Sequence, residues 1–117
     1  MTHTVLVVDD HAGFRAAMRA LLEADDFEVV GEAASGAQAV ACAERLKPVL
    51  VLLDVRLPDV DGIAVAVRLA ELDEPPFVVL MSSRDAAVYG PRLRQAPVRG
   101  FLPKSELSGA ALRRLLG

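Results

Sequence analysis

Residues 1–30 read MTHTVLVVDDHAGFRAAMRALLEADDFEVV, and the reading of this stretch decides the fold. The apolar run Val5–Val8 is stopped by two acids, Asp9 and Asp10. A helical stripe follows, with Phe14, Met18, Leu21 and Leu22 on one side and Arg15, Arg19 and Glu23 opposite. A second short apolar run, Phe27–Val30, completes the unit. Runs this short are far below the length of a signal-peptide core or a membrane span. Continuous and β-branched, they read as strands buried on both faces, as in a parallel sheet.

The alternation continues outward. Further apolar runs occupy Val49–Leu53, Phe77–Met81 and Val98–Leu102. Ile63, Val67 and Ala70 form a second helical stripe, and Leu107, Ala111, Leu112 and Leu115 a third. Ser35 followed by Gln38 is a capping box opening a helix to about Leu46, which Pro48 stops. Gly90-Pro91 and Pro97 oppose a continuous helix after Met81, so a short or broken one is expected there. Five β/α units in strict alternation predict an α/β fold. It is a single doubly wound, five-stranded parallel sheet with helices on both faces and right-handed crossovers. Residues 1–117 form one domain, with no interior boundary.

Composition narrows the function. With 117 residues, 53% hydrophobic and 25% charged, the chain is a globule rather than a disordered segment. Aromatics are 4% and Trp is absent, so the core is aliphatic. A net charge of -3 argues against nucleic-acid binding through a basic face. The single cysteine, Cys42, excludes an internal disulfide and a Cys-based zinc site, and points to a reducing, cytoplasmic setting. Cys42 itself, on a helix among alanines, reads as a small packing residue. His3 and His11 have no partner at ligand spacing and read as surface residues, and Tyr89 as partly exposed.

Ligands of open α/β sheets bind beyond the carboxyl ends of the strands. The residues that end the apolar runs are therefore the candidate site: Asp9 and Asp10, Asp54, Ser82 and Ser83, and Lys104. If the first and third strands are neighbours, their ends lie about 5 Å apart and three carboxylates crowd together. Such crowding calls for a proton or a cation. All-oxygen ligands suit Mg²⁺, which carboxylates normally hold to meet phosphate oxygens. Ser82 offers a hydroxyl and Lys104 a positive charge for those oxygens. No Gly-rich phosphate loop occurs, so a covalent phosphate on an aspartate is the more natural form than a bound nucleotide.

Each residue also has a plain reading. Asp9-Asp10 would cap a helix starting at His11, Asp54 would be a turn residue, and Lys104 a solvated loop lysine. Ser82 and Ser83 would be helix caps, and Phe101 ordinary core. The conjunction of matching chemistry at four strand ends favours a site.

The segments VLVVDDH (5–11), LLDVRLPDVDG (52–62), VVLMSS (78–83) and GFLPKS (100–105) resemble the receiver domain of two-component response regulators, in order and across essentially the whole chain. The resemblance implies the flavodoxin-like, CheY-like strand order 2-1-3-4-5. It implies that Asp54 is the phosphoacceptor. Mg²⁺ would be held by Asp10 directly, Asp9 partly through water, Asp54, and the backbone carbonyl of Arg56. Ser82 matches the switch hydroxyl, with Ser83 beside it, and both would meet phosphoryl oxygens together with Lys104. Phe101 matches the aromatic switch position, and Pro58 and Gly62 the loop after the acceptor strand. Two departures stand out. Ser105 follows Lys104 where proline is usual, which opens the question of a cis Lys104–Ser105 bond, and Phe101 lacks a hydroxyl.

The resemblance further implies a phosphoryl donor, either a sensor histidine kinase or a phosphotransfer protein. It implies a downstream partner or fused output domain read through the fourth and fifth units, slow hydrolysis of the aspartyl phosphate, and no separate substrate. No nucleic-acid or membrane contact of this domain is expected. Its state would be a monomer or a phosphorylation-dependent homodimer. GFLPKSEL (100–107) resembles receivers fused to helix-turn-helix domains, so a stand-alone and an excised receiver both remain open. Two other readings are a pseudo-receiver that only binds protein and a small aspartate-nucleophile phosphatase. The adjacent placement of Asp9 and Asp10, where haloacid-dehalogenase-type phosphatases carry D-x-D, weighs against the latter.

Overall fold

The computed structural model describes residues 3–117, and its elements follow the alternation traced above. They are β1 (His3–Val8), α1 (Ala12–Ala24), β2 (Phe27–Ala33), α2 (Gly36–Leu46), β3 (Leu50–Asp54), α3 (Gly62–Ala70), β4 (Phe77–Ser82), α4 (Pro91–Gln95), β5 (Gly100–Pro103) and α5 (Gly109–Leu116). The strands lie in the order β2-β1-β3-β4-β5. Every pairing is parallel, so all five carboxyl ends share one edge.

The continuous apolar runs are explained by cover on both faces. Leu6, Val8, Val51 and Leu53 pack with Ala39, Val40 and Ala43 of α2 and with Ile63, Val65, Ala66 and Leu69 of α3. Their chain neighbours Val5, Val7, Leu50 and Leu52 face the other way. They meet Met18 and Leu22 of α1 and Leu112 of α5. Successive strand residues point to opposite faces, so each run needs apolar side chains at every position.

The α2 boundaries are local. Ser35 Oγ accepts the Gln38 N–H at 3.2 Å, and Gln38 Oε1 accepts the Ala34 N–H at 2.9 Å. Lys47, at φ +49°, turns the chain out in the left-handed region ahead of Pro48. The segment after β4 is broken as expected. A 3₁₀ turn, Ala86–Val88, precedes Gly90 at φ +58°, and Pro91 opens α4 at its first position.

Several phases and boundaries differ from the periodicity. On α3, Val67 and Ala70 are exposed, and the buried face is Ile63, Val65, Ala66 and Leu69. The helix GIAVAVRLA is apolar at nearly every position, so its composition admits more than one stripe and packing selects the phase. On α1, Met18 and Leu22 are buried but Leu21 is 37% exposed. Arg15 and Arg19, expected on the free face, are both paired with Glu32 of β2. β2 runs on to Ala33, Val49 lies outside β3, and β5 starts at Gly100 rather than Val98. α5 begins at Gly109 under a Ser108 cap, which leaves Leu107 in the preceding turn. The Lys104–Ser105 bond is trans.

Candidate functional site

Asp54 is the last residue of the central strand, and Met81 of β4 is its register partner. Asp9 and Asp10 directly follow β1, Ser82 ends β4, and Lys104 directly follows β5. Parallel pairing thus brings four separated segments to one edge, as the run-end argument requires.

Lys104 ties the acids together. Its Nζ donates to Asp9 Oδ2 at 2.6 Å and to Asp54 Oδ2 at 3.1 Å. The same ammonium stands 4.2 Å from the centroid of the Phe14 ring, a cation–π contact that packs its third side. Asp9 is fully buried. Its Oδ1 accepts the His11 N–H at 2.8 Å, its own N–H donates to the Ala33 carbonyl at 3.0 Å, and its carbonyl accepts Arg15 Nη1 at 2.6 Å. Arg15 Nε in turn donates to Glu32 at 3.1 Å. The loop bearing the acids is therefore held from the sheet, from α1 and from β5.

The two buried carboxyls are driven apart. Burial pushes Asp9 up, but hydrogen bonds from Lys104 and the His11 N–H outweigh it and hold the carboxyl below the usual aspartate range. Burial of Asp54 prevails over the Arg56 N–H and Lys104, and raises its carboxyl above that range. Burial lowers Lys104, but the hydrogen bonds and charges of Asp9 and Asp54 more than offset this and keep its ammonium above the ordinary lysine value. Asp54 is thus the less stabilised anion of the pair, with a firm cation 3.1 Å away.

Asp10 is 39% exposed and lies on the open side. Ligand atoms of Asp9, Asp10 and His11 all fall within 4.8 Å of one another. This corrects the expectation that His11 has no partner at ligand spacing: its Nδ1 is 3.0 Å from Asp10 Oδ1, although the side chain is on the surface as expected. Nor do the acids act as ordinary caps. The N-cap of α1 is His11, with no side-chain hydrogen bond, and Asp9 instead binds the His11 N–H one position earlier.

The loop after Asp54 is organised around it. Asp54 Oδ1 accepts the Arg56 N–H at 3.1 Å, and Arg56 bridges back to Asp61. The Gly62 N–H donates to the Val55 carbonyl at 2.7 Å. A Cβ at Gly62 would collide with the Asp54 carbonyl oxygen and with Val55 Cα, so only glycine allows this approach. Pro58 is exposed, and next to it Asp59 accepts the Gly36 and Ala37 N–H groups at 2.8 and 3.1 Å. Those two N–H groups hold the Asp59 carboxyl below its ordinary range and tie the loop to the start of α2.

Ser82 is buried, and Ser83 beside it is exposed. Ser82 Oγ accepts the Arg84 N–H at 3.0 Å and lies 2.6 Å from the Tyr89 hydroxyl. The Tyr89 ring sits 6.1 Å from that of Phe101, which is half-buried on β5. Sequence reasoning placed Tyr89 as partly exposed, which it is, but missed its hydroxyl contact. The segment has no periodicity, so nothing along the chain signals which side chain folds back onto the strand end. Phe14 and Arg15 carry only the signal of opposite helix faces in the sequence, and Glu32 lies beyond the apolar run Phe27–Val30 that marks the second strand.

Asp9 and Asp10, which converge with His11, offer carboxylate oxygens that fit a hard divalent cation by their chemistry, while Asp54 joins Asp9 through the shared Lys104. Chemically, the edge offers a buried carboxylate, Asp54, a cation beside it, and one acid, Asp10, on the open side.

The sequence profile of the response regulator receiver domain matches residues 5–115. A candidate transcriptional regulator of Pseudomonas aeruginosa is 41% identical over 102 residues, covering 87% of this chain and 49% of that protein. The DNA-binding transcriptional activator EvgA of Escherichia coli K12 is 35% identical over 101 residues, covering 86% of this chain and 50% of the activator. The chain therefore spans about half the length of the curated relatives it matches. Among solved structures, the signal receiver domain of the response regulator assigned as NarL from Mycobacterium tuberculosis superposes with a TM-score of 0.85 at 35% identity. That match covers 99% of this chain and 98% of the other.

Proposed function

This chain belongs to the response regulator receiver domain family, and we propose that it takes up a phosphoryl group on Asp54. The observation that carries the proposal is the shared Lys104 contact, which sets Asp54 and Asp9 beside one ammonium at the carboxyl edge of the sheet. Asp54 is the nucleophile because burial leaves it the more basic carboxyl, while Asp9 is held as a firm anion by its hydrogen bonds.

In the step itself, an Asp54 carboxylate oxygen attacks phosphorus and forms an acyl phosphate. The bond from phosphorus to the donor breaks. The donor is an imidazole nitrogen of a kinase or phosphotransfer protein, or the acetate oxygen of acetyl phosphate. The leaving group carries away the electron pair. Lys104 then exchanges its Asp54 contact for a phosphoryl oxygen, and Ser82 donates its hydroxyl to another. Asp10, Asp9, Asp54 and the Arg56 carbonyl would hold Mg²⁺, whose charge offsets that of the incoming phosphoryl oxygens. No separate substrate is turned over, and the setting is cytoplasmic. The altered edge is read by a downstream partner or an output domain through the β4–β5 side.

The test is phosphotransfer from acetyl phosphate or a phosphorylated kinase with Mg²⁺, followed by intact-protein mass. The wild type should gain one phosphoryl group, and Asp54→Asn none, while both keep the same circular dichroism. Labelling of Asp54→Asn at another acid overturns the assignment. A wild type that takes no label from any donor favours the pseudo-receiver reading.

A further inference from the structure

Ser82 and Tyr89 face each other at 2.6 Å, and either hydroxyl can be the donor. A hydrogen inventory decides which one is. Ser82 carries one hydrogen and is only 1% exposed. Its oxygen already accepts the Arg84 N–H. If Tyr89 donated to it, the single Ser82 hydrogen would be buried without an acceptor among the described residues. Stranding a buried donor costs more than leaving an acceptor lone pair unused. Tyr89 is only partly buried, so its own hydrogen is the less costly of the two to leave without a protein acceptor. In the resting state, therefore, Ser82 donates and Tyr89 accepts.

We infer that Tyr89 is a latch on the Ser82 hydroxyl, and that phosphorylation of Asp54 reverses or breaks this hydrogen bond. The inference rests on the proposed phosphoacceptor reading. A phosphoryl group on Asp54 is a charged acceptor at the neighbouring strand end, and the only hydrogen Ser82 can offer it is the one now given to Tyr89. Once that hydrogen is withdrawn, Tyr89 must turn its own hydrogen toward Ser82 or leave. Either response moves the Tyr89 ring and disturbs its tilted contact with the Phe101 ring. Phe101 has no hydroxyl, so the polar half of the response falls to Tyr89, which lies between the 3₁₀ turn and Gly90.

Removing the Tyr89 hydroxyl costs the resting state a donor's partner. It costs the activated state at most one unused lone pair on Ser82. Tyr89→Phe should therefore favour the activated state. The probe is beryllofluoride with Mg²⁺, titrated onto the whole chain by calorimetry. Tyr89→Phe should bind roughly two- to tenfold more tightly than the wild type, the fold-change of one net hydrogen bond. The gain should vanish when Tyr89→Phe is made in a Ser82→Ala background. A second readout needs no label: Tyr89 is the one tyrosine and the chain has no tryptophan. Its emission should change when beryllofluoride binds the wild type, and should change less in Ser82→Ala. Unchanged or weaker binding by Tyr89→Phe overturns the latch, as does the same gain with Ser82→Ala. A wild type that takes up no beryllofluoride overturns the phosphoacceptor reading, and the latch with it.

Discussion

Lys104 Nζ stands 2.6 Å from Asp9 Oδ2, across 95 positions of sequence, and the same ammonium touches Asp54 at 3.1 Å. Asp9 is fully buried, whereas Lys104 keeps a fifth of its side chain exposed. One cation thus bridges two acids at the end of the sheet, and it must be partly released whenever another cation or a phosphoryl group engages them.

Removing that cation should be costly. Lys104→Ala leaves a buried carboxylate without a counter-charge, which should destabilise the fold by about 2–4 kcal/mol without divalent ions, somewhat under the loss for a wholly buried pair. Mg²⁺ should restore more stability to this variant than it adds to the wild type, because it no longer competes with the ammonium. Denaturant midpoints with and without Mg²⁺ measure both, and equal Mg²⁺ effects in the two proteins would contradict the shared-cation account.

Asp10 and Asp9 should separate by phenotype. Asp10 is half-exposed with no buried hydrogen bond to lose, so Asp10→Ala should weaken Mg²⁺ binding at least about tenfold while the metal-free protein melts at an equal or higher temperature. Asp9→Ala should lower the metal-free melting temperature, since it removes partners of both Lys104 and the His11 N–H. Calorimetric titration and thermal melts distinguish the two.

Glu32 should set part of the acid stability. Its hydrogen bond from Arg19 holds the carboxyl below the ordinary glutamate value; burial opposes this, and Arg15 adds to it. A folded pKa below the unfolded one means the contribution is fully present above about pH 4.3 and is lost as pH falls through the folded value. Glu32→Gln should cost about 0.5–1 kcal/mol at neutral pH, the discounted worth of a partly exposed pair. Its stability should also fall less steeply between pH 4.3 and lower values. Parallel slopes in urea titrations across that range would rule out the pairing as the cause.

Gly62→Ala should be destabilising although Gly62 opens a helix, where alanine is ordinarily favoured. The added methyl meets the Asp54 carbonyl and Val55 Cα, backbone that can yield only by moving the end of β3. A loss of about 1–3 kcal/mol is expected, together with slower phosphorylation, because the acceptor carboxyl shifts with its own backbone. A stabilised variant would show the approach to be looser than described.

The alternation of short apolar runs with helical stretches determined the α/β architecture by itself, because a strand covered on both faces must be apolar at every position and a helix on one face must not. The same logic put Asp9, Asp10, Asp54, Ser82 and Lys104 at one edge: a polar residue that ends a buried run marks where the strand leaves the core. The break after Met81 was equally legible, since Gly90 and Pro91 act on their own backbone. What tertiary structure alone decided was phase and partnership. The apolar GIAVAVRLA helix buries Ile63 and Ala66 rather than Val67 because neighbouring surfaces chose among equivalent faces. Asp9 and Asp10 are adjacent and chemically identical, yet one is sealed under Lys104 and the other faces outward. The Tyr89 hydroxyl finds Ser82 only because an irregular turn folds back over β4. Local pattern carries the preference of each residue for water or core, whereas pairings of this kind depend on distances between segments that only the packed chain establishes.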